Sequence, residues 1–440
     1  ILSILIFLIY SIIYIIRKPR KILVYLKNSI LNTISIVGII YFIFVILWGI
    51  NYNRVDLEDS LITYYNSAED KNINGRVSNE TGIIKLVYGT LHRNGDGMIR
   101  FNNDYNHGAF DSILKELAVT NTASYAGYGE DEWCRKAETV IKGLIAKDDA
   151  LIKFVPGATQ ANLVVIAAAL SPVQSVIAAD TGHINCHEAA SIENTGHKIL
   201  EIPNTDGKIS AQQIAECASE YYDQDAPEYL TEPKMVYLSF PTEKGTLYSK
   251  QELREIHEVC TKYGMYLFVD GARMGYGLGS KKNDLTLKDF AELTDVFYIG
   301  GTKCGALFGE ALVITAPALK YRFKAYMKQN GAVMAKGWLM GQQFSLMLES
   351  GEYFEKTKRA DELAMQIREA FQEKGIPFWV ESFTNQQFVI LSDQQKNMLA
   401  QNYYFEEGGV TPQGTVVRFC TSWATTQEEV DALIADIAQL

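Results

Sequence analysis

Four short strings hold the residues able to do chemistry. In "FYIGGTKCGALFGEALV", Lys303 follows an apolar run and stands among Gly300, Gly301 and Gly305. Small neighbours let a flat cofactor approach the backbone. A desolvated lysine near other cations loses basicity and becomes a nucleophile toward an aldehyde. Thr302 beside it offers a hydroxyl to a phosphate. In "FVDGARMGYGLG", an apolar strand delivers Asp270 at its carboxyl end, the edge where open α/β sheets place ligands. A carboxylate there can pair with a pyridine nitrogen and keep the ring protonated and electron-withdrawing. Arg273, three residues on, presents a fork that fits a carboxylate or a phosphate.

The other two strings complete the set. In "PGATQANLVV", Gly157 permits a turn, and Ala158 and Thr159 open a helix whose first N–H groups suit a phosphate. In "GHINCHEAASIE", His183 starts a helix after the run "SVIAA", placed to stack on a ring or to move protons. His183 and His187 have the spacing of a metal pair, but no third ligand accompanies them, so no metal is expected. Each string alone has a plainer reading: a helix cap, a capping Asp with a surface Arg, a solvated loop lysine, a structural histidine. Their order along one chain, on one pattern of elements, is what points to pyridoxal phosphate (PLP) chemistry with Lys303 as the covalent anchor.

Those elements are legible from about residue 145. Short runs rich in Val, Ile, Phe and Tyr ("ALIKFV", "SVIAAD", "KILEIP", "KMVYLSF", "MYLFVD", "DVFYIG", "ALVIT") alternate with helical stretches such as "SKQELREIHEVCTKYG". This pattern predicts an α/β fold with a mostly parallel sheet covered by helices. Long helices are expected from about 317 to 375. A smaller α+β unit follows, with strands at "IPFWVE", "NQQFVILS" and "TVVRFCTS" and a final helix at "TQEEVDALIADIAQL". The reading divides the enzyme into a large cofactor-binding domain with an N-terminal arm, 98–345, and a small C-terminal domain, 346–440.

Residues 1–97 read differently. Ile1–Ile16 and Ile30–Ile50 are apolar and uncharged and flank a basic loop with Arg17, Lys18, Arg20, Lys21 and Lys27. The second run is long enough to span a bilayer, so 1–50 is expected to form two transmembrane helices, and 51–97 a polar linker or truncated domain. The string "WGINYNR" resembles a fragment of an uncharacterised bacterial polytopic membrane protein. A cytoplasmic basic loop would send everything after residue 51 outside, whereas PLP enzymes work in the cytoplasm. Met98 stands where a start codon would fit, and the first residue is Ile. Residues 1–97 are therefore expected to be a segment foreign to the enzyme, from a neighbouring gene or a misassembled frame. The net charge of −11 argues against a nucleic-acid partner. Six scattered cysteines, with no Cys-x-x-Cys pair, exclude a zinc or disulfide framework and suit a reducing compartment.

The strings "NDYNHGA", "YGEDE", "TEKGTLYS", "VDGAR", "GGTKCGALFGEA" and "VVRFCTSW" resemble segments of the threonine aldolase and β-eliminating lyase family of fold-type-I PLP enzymes. The resemblance runs from about Arg100 to Leu440. It implies that Lys303 condenses with the cofactor aldehyde, Asp270 holds the ring nitrogen, His183 stacks on the ring, and Gly157, Ala158 and Thr159 hold the phosphate. It implies that Arg273 and Arg418 bind the substrate carboxylate. The family's Ser beside an Asp, which helps there, is replaced by Asn103 next to Asp104. The activity implied is retro-aldol cleavage of threonine or allo-threonine to glycine and an aldehyde, with His183 as the candidate base. The alternatives are β-elimination or transamination on the same scaffold, or a membrane-tethered inactive module. Family members associate, so a homodimer or homotetramer is expected, with the loop "ASYAGYGEDE" reaching a neighbour.

Overall fold

The chain divides into two units, Ile1–His92 and Arg93–Leu440. The structure, a computed structural model, describes residues 97–440. The expected transmembrane helices and linker lie outside the described residues. Within the described residues no helix is long and apolar enough to cross a membrane.

All seven expected runs of the large domain are strands: β2 (Leu151–Val155), β3 (Gln174–Ala179), β4 (Lys198–Ile202), β5 (Glu232–Ser239), β6 (Tyr266–Asp270), β7 (Val296–Gly300) and β8 (Glu310–Ile314), after a short β1 (Ile99–Arg100). They form one sheet in the order β2-β8-β7-β6-β5-β3-β4. Neighbours from β7 to β4 pair in parallel, whereas β8 is antiparallel to both β7 and β2. Only β8 therefore runs against the rest. The strands are apolar on both faces because both faces are covered. Ile141, Leu253 and Ile256 pack on one face, and Ala161, Val164 and Val165 on the other.

Helix boundaries follow local chemistry. Ser249 accepts the N–H of Glu252, and the Glu252 side chain accepts the N–H of Ser249, which closes a capping box on the helix Lys250–Tyr263. Gly264, at φ +65°, ends it in the left-handed region that favours glycine.

The C-terminal part holds β9 (Gln386–Leu391), β10 (Tyr403–Tyr404), β11 (Glu406–Thr411) and β12 (Gly414–Cys420), with a three-stranded antiparallel sheet in the order β11-β12-β9. Three expectations are corrected here. "IPFWVE" is not a strand; Phe378 makes one isolated bridge to Val389. The exposed, glycine-containing β11 was not foreseen, because "EEGGVT" has neither alternation nor apolar content. The domain division at 345/346 falls inside the helix Trp338–Glu349, and β1 pairs with β10, so Phe101 joins the C-terminal core beside Leu363, Ile367 and Phe419. The N-terminal arm thus packs with the small domain: an aromatic ring two residues from an open strand edge is buried by the nearest apolar cluster, whatever its place in the chain.

Candidate active site

β5, β6 and β7 end at one edge of the sheet, and two glycines bring those ends close. A Cβ on Gly271 would meet the carbonyl oxygen of Tyr298 at 1.9 Å, and one on Gly300 would meet that of Ala272 at 2.3 Å. The Gly300 N–H donates to the Gly271 carbonyl at 3.0 Å. Gly305, at φ +107°, lies against the Phe110 ring, where a Cβ would come within 2.1 Å. The glycines around Lys303 therefore serve protein packing, not the approach of a flat ligand as the sequence suggested. Their effect is to bring Lys303 and Asp270 to one place. An open cleft is lined by both, together with Ala158, His183, Ser239, Glu243 and Arg273.

Asp270 is buried and receives three hydrogen bonds: from Tyr237 Oη (2.5 Å) and Asn162 Nδ2 (3.1 Å) on Oδ2, and from the Ala272 N–H (2.9 Å) on Oδ1. Burial pushes its carboxyl up, but the His183 charge, the Tyr237 hydroxyl and the Ala272 N–H outweigh burial and hold it below the ordinary carboxylate value. A carboxylate has about four acceptor positions. These bonds take three of them, and the Tyr298 hydroxyl also acts on this carboxylate and lowers its pKa.

His183 opens the short helix His183–Cys186 after β3. Its Nδ1 donates to Glu188 Oε1 at 2.7 Å, and the buried Glu188 also accepts from Asn162 Nδ2 and Ser191 Oγ, each at 2.7 Å. Burial disfavours the charged imidazole, yet the Glu188 bond and the Asp270 charge prevail and raise its pKa. Lys303 behaves in the opposite sense. Burial, then the Arg273 charge, lowers its pKa, as a nucleophilic amine requires. Tyr276 Oη fixes the Lys303 backbone through its carbonyl at 2.7 Å.

Two expected roles meet a different arrangement. Arg273, read as a receptor for the substrate carboxylate, turns its fork to buried Asp104, with Nε to Oδ2 at 2.7 Å and Nη2 to Oδ1 at 3.1 Å. Asn385 Nδ2 also donates to Asp104, at 3.0 Å. A buried guanidinium and carboxylate satisfy each other bidentately, and this engages the geometry an incoming carboxylate would use. Thr302, read as a phosphate ligand, donates its hydroxyl to Glu310 Oε1 at 2.7 Å. Glu310 also accepts the Gly301 N–H at 2.8 Å, and burial pushes its carboxyl up to about 7.

The remaining expected residues lie outside that lining. Gly157 caps the helix Ala158–Ala169 through backbone geometry alone, with no side-chain cap, so the N–H groups of the first turn have no intrahelical acceptor. Asn103 is turned to the Tyr105 N–H at 3.0 Å. Arg418, on β12, donates to Gln386 Oε1 (3.0 Å), the Asn102 carbonyl (2.9 Å) and Glu406. Its Nε is buried with no hydrogen-bond partner among the described residues.

Sequence reasoning missed Asp104 as the holder of Arg273 and Asn385 as a donor to Asp104, and it missed Glu310. The strand direction carried a signal for Glu310. It is the first residue of the reversed strand and pairs with Gly300 and Val155, so it stands at the same edge as the ends of the parallel strands.

A lysine and an aspartate converging at this edge of such a sheet, beside an uncapped helix start, fit PLP in residue type and position. They define the class as the fold-type-I PLP-dependent enzymes. The solved structure of an Escherichia coli protein with a methionine aminotransferase function shares the fold at 15% identity, with a TM-score of 0.62 over 79% of this chain and 94% of that one. Within the class, the beta-eliminating lyase model matches residues 114–394, and the chain belongs to that family. The solved threonine aldolase of Leishmania major is 40% identical, with a TM-score of 0.76 over 78% of this chain and 99% of that one. The low specificity L-threonine aldolase of Pseudomonas aeruginosa is 28% identical over 349 residues, 77% of this chain and 96% of that one. A second family, described as a protein of unknown function (DUF3810), matches residues 1–117, so the two matches overlap only at 114–117.

Proposed function

We propose that residues 98–440 form a PLP-dependent aldehyde-lyase that cleaves L-threonine or L-allo-threonine between Cα and Cβ to glycine and acetaldehyde. The observation that carries this reading is the convergence of Lys303 and Asp270 on one cleft, in a chain of this family. Lys303 would hold the cofactor aldehyde, Asp270 the ring nitrogen, His183 one face of the ring, and the first turn at Gly157, Ala158 and Thr159 the phosphate. Bound there, PLP supplies an electron-withdrawing ring that accepts the electron pair of the breaking bond.

The chain's own groups do the rest. Asp270, kept ionised by its donors, holds a proton on the ring nitrogen. Arg418 would meet the substrate carboxylate, and Arg273, braced by Asp104, adds positive potential without giving up its fork. Fixing the carboxylate orients the Cα–Cβ bond for cleavage.

The test is product analysis of the PLP-loaded protein with L-threonine. Glycine and acetaldehyde support the reading. Ammonia with a keto acid, or amino-group transfer, would assign another reaction on this scaffold. We also infer a homodimer or homotetramer, to be checked by light scattering, and a cytoplasmic place where the cofactor is made, to be checked by fractionation. In fractionation, a membrane-bound full-length product would show residues 1–97 to be native to the enzyme.

A further inference from the structure

The cleft holds one acid that the reading above leaves without a task. After β5, Ser239 leads into a turn pinned by three bonds: Thr242 N–H to the Thr246 carbonyl (3.0 Å), Gly245 N–H to the Thr242 carbonyl (2.8 Å), and the two threonine hydroxyls to each other (2.7 Å). The turn folds Glu243 back toward the strand end. Glu243 Oε1 accepts from Ser239 Oγ at 2.6 Å and from the His183 backbone N–H at 2.9 Å. Both bonds fall on the same oxygen, and the side chain lines the cleft with His183, Asp270 and Lys303.

A purely structural acceptor here could be an amide. A carboxylate taken from water without a cation costs free energy. Among the described residues Glu243 forms no ion pair, and the neighbouring Lys244 turns to Asn204 at 2.9 Å and to the Trp379 ring at 4.6 Å. His183 is given to one face of the cofactor ring in the reading above, with its Nδ1 held by Glu188, and there burial is outweighed and the pKa raised. Glu243 shows the opposite balance. Burial, opposed by the Ser239 hydroxyl and helped by the Asp270 charge, raises its pKa. General bases work best when their pKa lies near the working pH.

We propose that Glu243, not His183, accepts the proton of the substrate's β-hydroxyl. The proposal rests on the lyase reading. The hydroxyl proton passes to the Glu243 carboxylate, the oxygen's electron pair forms the aldehyde C=O, and the Cα–Cβ pair withdraws toward the bound PLP. A proton then returns to Cα, so glycine and aldehyde together contain all the atoms of the substrate. Glu243 is a catalytic residue in this account, and His183 is a ring-holding one.

The experiment uses the full chain loaded with PLP and compares the parent with Glu243→Gln and His183→Phe. Three quantities are read: threonine cleavage against pH, exchange of the glycine α-hydrogen in D2O by NMR, and PLP affinity by absorbance. Exchange at Cα needs the cofactor but no hydroxyl base. Glu243→Gln should cut kcat for cleavage by about 10²–10⁴-fold and abolish its acidic limb, with exchange and PLP affinity within about threefold of the parent. The titratable groups facing Glu243 (Asp270, His183, Cys186, Tyr237 and Tyr248) remain in that variant, so loss of the limb reports Glu243. His183→Phe should weaken PLP binding and slow both reactions together. The proposal is overturned if Glu243→Gln keeps cleavage, if it loses PLP or exchange in proportion to cleavage, or if His183→Phe alone removes cleavage and spares exchange. A parent that exchanges glycine yet cleaves no β-hydroxy amino acid overturns the lyase reading and this role with it.

Discussion

The two walls of the cleft treat a buried acid in opposite ways. On the wall made by β3, β5 and β6, Asp270 receives a tyrosine hydroxyl, an amide and a backbone N–H beside the His183 imidazole, and its carboxyl stays below the ordinary value. On the wall made by β7 and β8, Glu310 is equally hidden and accepts two hydrogen bonds, yet burial pushes it up to about 7. Both acids have donors and a neighbouring cation: at Asp270 the donors and the His183 charge outweigh burial, whereas at Glu310 two bonds and the Lys303 charge do not. One wall supplies a fixed negative charge, which the proposed reading gives to a ring nitrogen. The other holds an acid with a raised pKa near Lys303, and any charge it carries raises the Lys303 pKa against the effect of burial.

The largest effect should come from breaking the cleft's best-matched pair. Asp104→Ala strands Arg273 as a buried unpaired cation and should cost about 3–5 kcal/mol in denaturant unfolding, whereas an exposed pair would cost under about 1 kcal/mol. Next, Asp270→Asn keeps shape and removes charge. Cleavage should fall by about 10²–10³-fold at saturating PLP, and an unchanged kcat would show that the wall's fixed charge is not used.

Glu310→Gln tests the opposite wall. A folded-state pKa raised from 4.5 to about 7 means that the fold binds the proton more tightly, so stability declines as pH rises between those values. The variant lacks that decline. Unfolding curves should show its stability relative to the parent improving by about 3 kcal/mol from about pH 4 to about pH 8. A gap independent of pH would contradict the contrast between the walls. Smallest, Glu188→Gln should lower the His183 pKa, read by NMR titration, and reduce activity by about tenfold, because Glu188 orients the ring without touching substrate.

Much of this was legible in sequence. The seven strands were, because a parallel sheet covered on both faces yields uninterrupted apolar runs. Asp270 and Lys303 were, because each follows such a run directly. The engagement of Arg273 was not, since Asp104 lies 169 residues away and nothing local distinguishes a fork that awaits a ligand from one already filled. Glu310 was hidden by the same limit: a charged residue opening a strand reads as a solvated end until the strand's reversed direction is known. The arm at Ile99–Phe101 was placed with the wrong domain, because its partner strand β10 is two residues long and carries no pattern.

The most direct test of the central claim is covalent. Borohydride reduction of the PLP-loaded protein, followed by digestion and peptide mass mapping, should place a single pyridoxyl group on Lys303, and Lys303→Ala should carry none and lack the Schiff-base absorbance. A label on another lysine, or an intact Schiff-base band in Lys303→Ala, would contradict the account.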